Sequence, residues 1–125
     1  MAAFTNSGQV CSAGTRLFVE RGIYDDFVRA MSSYTDALTV GNGLDDTTQL
    51  GPLVSQTQLE RVTAYFDVGR AEGAAVYTGG SRLTDGDYAK GYFVAPTIFT
   101  DVDNDMRVAK EELFGPVVSV MAFDD

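Results

Sequence analysis

Apolar positions recur along the chain at two different spacings, and the changes between them outline its elements. Arg16 to Val19 is a short run of β type. From Ile23 to Val40 the spacing becomes helical, with Ile23, Phe27, Met31, Tyr34 and Leu38 on one face. Asp25 and Asp26 lie in the first turn, where they complement the helix dipole, and Gly41-Asn42-Gly43 is expected to stop the helix. Gly41 to Val54 reads as a loop with two glycine turns and Pro52. Ser55 and Gln58 then have the spacing of a capping box. The helix they open is expected to run to about Glu72, with Leu59, Val62 and Phe66 as its apolar stripe and Gly73 as its C-cap.

Beyond it, Ala75 to Thr78 is a short strand ending at Gly79-Gly80, and Ser81 to Gly91 is a polar loop. Tyr92 to Phe99 is β-branched and aromatic. Pro96 inside it cannot donate to a ladder, so it marks an edge or a bulge. A short helix capped by Asp103 or Asp105 is expected through Glu112 and is ended by Gly115-Pro116. Val117 to Phe123 is nearly continuous in apolar residues, as in a strand buried on both faces. The order β-α-α-β-β-α-β predicts an α/β domain whose sheet is mostly parallel and flanked by helices.

Composition narrows this picture. At 125 residues the chain has room for one domain, and 45% hydrophobic residues suit a globular core. No apolar run approaches the ~18 residues of a membrane span, and no export signal is evident. The net charge of −9, from 18 acids and 9 bases, argues against nucleic-acid and anionic-membrane partners. The single cysteine points to a reducing, cytoplasmic setting. With no histidine, a Cys-His dyad and a Cys/His zinc site are excluded, and no metal ligand is assigned.

Candidate chemistry gathers at two places. Cys11 lies in Phe4-Thr5-Asn6-Ser7-Gly8-Gln9-Val10-Cys11-Ser12-Ala13-Gly14-Thr15-Arg16, a setting of small, turn-forming residues. It reads as a thiol presented on a tight loop whose backbone N–H groups favour a thiolate or an oxyanion. The plainer reading, and on composition alone the stronger one, is a small buried hydrophobe. The second place is Lys110-Glu111-Glu112-Leu113-Phe114-Gly115-Pro116. Adjacent glutamates on a helix point about 100° apart, so one can face a cleft and accept hydrogen bonds from two sugar hydroxyls while Phe114 packs on a flat ring. A solvated charge pair followed by a core phenylalanine is the plain alternative, and taken alone it is preferred. Gly41-Asn42-Gly43 and Gly79-Gly80 match no phosphate-cradling pattern and read as turns.

Taken together, these segments resemble the NAD(P)-dependent aldehyde dehydrogenase superfamily. Phe4 to Arg16 is similar to its cysteine signature, in which an aromatic or aliphatic residue and three variable positions precede Gly-Gln-x-Cys. Glu111-Glu112-Leu113-Phe114-Gly115-Pro116 is similar to its Glu-Glu-Ile-Phe-Gly-Pro motif, with Leu113 for isoleucine. Gly41-Asn42, Gly51-Pro52, Gly79-Gly80 and Gly91-Tyr92-Phe93 with Pro96-Thr97 fall in order between them. The resemblance covers essentially the whole chain and reverses the preference at Cys11.

The resemblance implies that Cys11 is the catalytic nucleophile and that its backbone N–H forms half of an oxyanion hole. Glu112 would hold the nicotinamide ribose of NAD or NADP, with Phe114 beside that ribose and ring. Val10 and Ser12 would line the pocket for a small aldehyde, which is oxidised to a carboxylic acid through a thiohemiacetal and a thioacyl intermediate. It also implies that residues 1–125 are part of a catalytic domain. The dinucleotide-binding domain, the general-base glutamate, the oxyanion-hole asparagine and the phosphate-contacting lysine would then lie outside it. On that expectation the isolated chain has little activity and associates as a homo-oligomer or with the missing part of the enzyme. The alternatives are a non-enzymatic interaction module or split subunit needing a partner chain, and a thiol redox sensor centred on Cys11.

Overall fold

The computed structural model describes residues 3–124. Its elements in chain order are β1 (Arg16–Glu20), α1 (Tyr24–Asp36), α2 (Gln56–Glu72), β2 (Ala75–Thr78), β3 (Thr97–Thr100), α3 (Arg107–Lys110) and β4 (Val117–Phe123). Short 3-10 turns at Thr5–Gly8, Arg21–Ile23 and Gly86–Lys90 join them. The sheet order is β1-β4-β3-β2. β4 pairs in parallel with β1 and β3, and β2 pairs antiparallel with β3. The mostly parallel sheet with flanking helices is the expected fold class.

Two hydrophobic cores lie on opposite faces of the sheet. On one, Leu59, Val62 and Phe66 of α2 pack with Phe99, Val117 and Met121. On the other, Val28 of α1 packs with Val19, Ile98, Val118 and Val120. β4 feeds both cores by alternation, and this is why its sequence is apolar without a period of two. α2 follows its sequence signals closely. The Ser55 side chain accepts from the Gln58 backbone N–H at 3.2 Å, and Gly73 closes the helix at φ 100°.

Several expectations are corrected. α1 ends at Asp36, not near Val40, because Val40 bridges in parallel to Leu50 and Gln49 Oε1 accepts the Thr39 amide. Its sheet-facing side is the buried Val28, Ser32 and Thr35 with the half-buried Tyr24 and Met31, and Tyr24 Oη donates to Val120 O at 3.1 Å. The buried Thr35 hydroxyl is satisfied by Met31 O at 2.8 Å. Of the expected stripe, Ile23, Phe27 and Tyr34 face outward, at 57%, 37% and 43% exposed, whereas Met31 packs on the core and Leu38 is buried in it. β3 begins only at Thr97. It is a central strand, and Pro96 stays outside it because a central ladder needs the missing N–H.

α3 is a four-residue turn of helix that neither Asp103 nor Asp105 caps. Asp103 Oδ1 accepts the Asp105 amide instead. Glu111 is already extended (φ −103°, ψ 144°), so Glu111 and Glu112 are not helical and Gly115-Pro116 does not end the helix. The carbonyls that a longer helix would use are taken by side chains of α2, as described next.

Candidate active site

The loop before β1 carries the thiol on an unusual backbone. Asn6, Ser7 and Gly8 are consecutively left-handed, at φ 51°, 56° and 70°. Local bonds hold them: Gln9 N–H donates to Asn6 O at 3.1 Å, Ser7 Oγ to Gly51 O at 2.8 Å, and Val54 N–H to Gln9 Oε1 at 2.9 Å. Gly8 is dictated twice over. Its φ disfavours other residues, and a Cβ there would lie 2.0 Å from Gly115 O. The cysteine loop therefore rests directly on the backbone of Gly115-Pro116.

A tight turn follows, with Ala13 N–H donating to Val10 O at 3.0 Å, and Cys11 stands exposed on it. Among the described residues, the Cys11 amide has no hydrogen-bond acceptor, so its N–H remains able to donate.

The other wall of the site is the extended segment after α3. Arg107 grips Glu111 through two bonds, Nε to Oε1 at 2.7 Å and Nη2 to Oε2 at 3.1 Å, and the Tyr65 hydroxyl donates to the same carboxylate. These bonds, Arg107 first and Tyr65 second, hold the Glu111 carboxyl at a pKa of about 2. The Tyr65 hydroxyl is pushed up, chiefly by its bond to Glu111. Arg61 and Arg107 each stack against the Tyr65 ring, 5.4 Å from its centroid. Arg61 Nη2 also donates to Glu112 O at 2.6 Å, and Gln58 Nε2 donates to both Leu113 O and Phe114 O at 2.8 Å. Phe114 is left-handed at φ 59°.

The two walls enclose a cavity of about 310 Å³ in which Val10, Cys11, Lys110, Glu112 and Phe114 meet. Four of the five sequence-predicted site residues thus converge from opposite ends of the chain. Ser12 is exposed and does not line the cavity. Lys110 brings a cation to the rim but is paired with Asp105 at 2.6 Å. The arrangement offers a thiol, a free backbone donor, a carboxylate and an aromatic ring in one cleft.

Sequence reasoning overlooked Gln58, Arg61 and Tyr65. Gln58 reads as the reciprocal half of a capping box, yet its side chain serves the distant segment instead. The usable signal was the spacing 58, 61, 65, a polar row one position ahead of the apolar stripe on the same helix.

The family model described as "Aldehyde dehydrogenase family" matches residues 1–125. A betaine aldehyde dehydrogenase of Rhizobium leguminosarum bv. trifolii is 48% identical over 122 residues, covering 98% of this chain and 25% of that protein. Among solved structures, a betaine aldehyde dehydrogenase of Staphylococcus aureus in complex with NAD+ superposes with a TM-score of 0.97 at 40% identity. It covers 99% of this chain and 25% of that one. An NAD+ complex of an aldehyde dehydrogenase from Bacillus cereus gives a TM-score of 0.93 at 48% identity, with 99% of this chain and 24% of that one covered. The chain spans about a quarter of the length of the relatives it matches.

Proposed function

The chain belongs to the aldehyde dehydrogenase family, and from that membership we propose that its cavity carries the nucleophile and part of the cofactor site for NAD(P)+-dependent oxidation of an aldehyde to a carboxylic acid. The observation that carries this reading is the meeting of exposed Cys11 with Glu112 and Phe114 in one cleft. The cleft fits the nicotinamide half of the cofactor: Glu112 provides acceptors for the ribose hydroxyls, and Phe114 gives an apolar surface for the ring. Similar solved enzymes are NAD+ complexes, which supports a nicotinamide cofactor here. The betaine aldehyde dehydrogenases among the relatives support a small aldehyde as the substrate class.

In the reaction, Cys11 Sγ adds to the aldehyde carbonyl carbon, and the oxygen, gaining a proton, becomes the hydroxyl of a thiohemiacetal. The Cys11 N–H donates to that oxygen while it carries charge. A nicotinamide held there would supply the acceptor for the hydride leaving this carbon, and loss of the hydroxyl proton leaves a thioester on Cys11. Water then attacks the thioester carbonyl, releasing the carboxylic acid and restoring the thiol. Val10 lines the cleft with Cys11, while Ser12 stays outside it.

Glu111 is committed to Arg107 and Tyr65, and Glu112 to the ribose, so we assign the water-activating base to a part of the enzyme beyond this segment. Accordingly the isolated chain should show no sustained NAD(P)H formation with short or aromatic aldehydes, and clear turnover would refute that. The positive test is a chimaera in which this chain replaces the matching quarter of the Rhizobium relative. It should oxidise aldehydes and lose nearly all activity in Cys11→Ala. Activity indifferent to that substitution sinks the reading.

A second observation concerns association. Phe4, Leu17, Phe27, Ala30, Met31 and Tyr34 line an apolar groove of about 300 Å³ beside α1. We infer that the remainder of an aldehyde dehydrogenase polypeptide covers it, because the chain spans only a quarter of its relatives. Sedimentation of the chain at high concentration tests this. Reversible self-association that Phe27→Asp suppresses supports a sticky, normally covered face, whereas a clean monomer counts against it.

A further inference from the structure

Two side chains of α2 hold the carbonyls of three consecutive residues in the Glu112–Phe114 segment. Arg61 takes Glu112 O, and the Gln58 amide commits both of its hydrogens, to Leu113 O and Phe114 O, at 2.8 Å each. An extended residue sends successive carbonyls to opposite sides of the chain. A left-handed residue brings them to the same side, where one donor group reaches both. Phe114 is such a residue, at φ 59°, a conformation disfavoured for a bulky side chain. The donor pair and the unusual backbone explain each other. Glu112 and Phe114 of this segment line the cavity that holds Cys11.

We propose that Gln58 is a positioning residue: its amide bridge to Leu113 O and Phe114 O keeps Phe114 left-handed and thereby sets the Phe114 ring and the Glu112 carboxylate toward the Cys11 cavity. The consequence for cofactor binding rests on the functional reading above. Gln58 acts through the backbone of the segment it holds and bonds to no residue of the Cys11 loop, which rests on that segment at Gly115-Pro116. The bonds that shape that loop run to Gly51 and Val54.

Two substitutions test the role while leaving the fold alone. Gln58→Met keeps the length of the side chain and removes both donors. Gln58→Glu keeps its shape and sets acceptors against two carbonyls. The Gln58 backbone N–H still donates to Ser55, so the N-cap of α2 survives in both. In the purified chain, backbone NMR shifts of Phe114 should leave their left-handed values in both variants, with changes concentrated in residues 112–116. Left-handed shifts retained in both overturn the proposal.

In the chimaera, both variants should raise the KM for NAD+ about tenfold, the order expected for losing hydrogen bonds that fix a binding group. The value of kcat should stay within about threefold, and the alkylation rate of Cys11 by iodoacetamide within about twofold. A purely structural role would lower kcat and thiol reactivity together, and an unchanged KM overturns the cofactor consequence. If the chimaera with Gln58 intact does not reduce NAD+, the functional reading is what fails. The shifts of the chain alone then still decide whether Gln58 sets the backbone.

Discussion

Gly8 and Glu111 show how single residues fix the site. Gly8 combines a left-handed φ with backbone contact to Gly115, so Gly8→Ala has neither a conformation nor a space to adopt. It should destabilise the chain by about 2–4 kcal/mol, measured by urea unfolding. Gly14 has an ordinary φ and open space where a Cβ would stand, so it should accept alanine with little change. Glu111 supplies the pH dependence. Its folded pKa of about 2 lies below the usual 4.5, so its contribution is complete above pH 4.5 and is lost as pH falls toward 2. The urea midpoint should fall across that window, and Glu111→Gln should flatten the slope there. An unaltered slope would remove Glu111 from the account of acid sensitivity. At this scale the sequence brought Cys11, Glu112 and Phe114 forward as candidates because motif residues carry their own chemistry, and the fold gathers them in one cleft. Gln58 was hidden because its partner carbonyls belong to a segment far along the chain, and no local pattern encodes them.

α1 and α2 differ in how much their sequences disclose. The signals of α2 agree with one another: cap, apolar stripe and terminal glycine all describe the same helix. Leu59→Ala should cost about 3 kcal/mol, since Leu59 is 2% exposed in the larger core. Ser55→Ala should cost about 1 kcal/mol through the lost cap. The apolar stripe of α1 misled in part: Ile23, Phe27 and Tyr34 face outward, while Tyr24 and Thr35 reach the sheet side with hydroxyls that find carbonyl partners. Ile23→Ser should therefore change stability by less than about 0.5 kcal/mol in the chain alone. A loss several times larger would restore the original face assignment. The segment after α3 was misjudged for a related reason. Glutamates favour helix locally, but Arg61, Gln58 and Tyr65 pull the chain into an extended path.

Across the whole molecule, the order of elements was enough to anticipate a mostly parallel sheet, because alternating strands and helices leave few other solutions. The strand order and the antiparallel β2 were not legible, since neither depends on local pattern. Ion pairs such as Arg21 with Asp124 and Lys90 with Asp87 are exposed, and such pairs contribute little. Against a net charge of −9, self-repulsion is the larger electrostatic effect. Raising salt from about 10 mM to about 300 mM should therefore raise the thermal midpoint by a few degrees rather than lower it. A falling midpoint would mean that the ion pairs dominate. The contact of Gly8 with the Gly115-Pro116 backbone has one more consequence, for inheritance and engineering. The thiol loop and the Glu112–Pro116 segment are interlocked like a key and its ward. A recombinant that takes one from this chain and the other from a relative inherits a fitted joint only if both sides of that contact travel together. Crossover points between the two motifs are thus safe for the sheet and hazardous for the cleft.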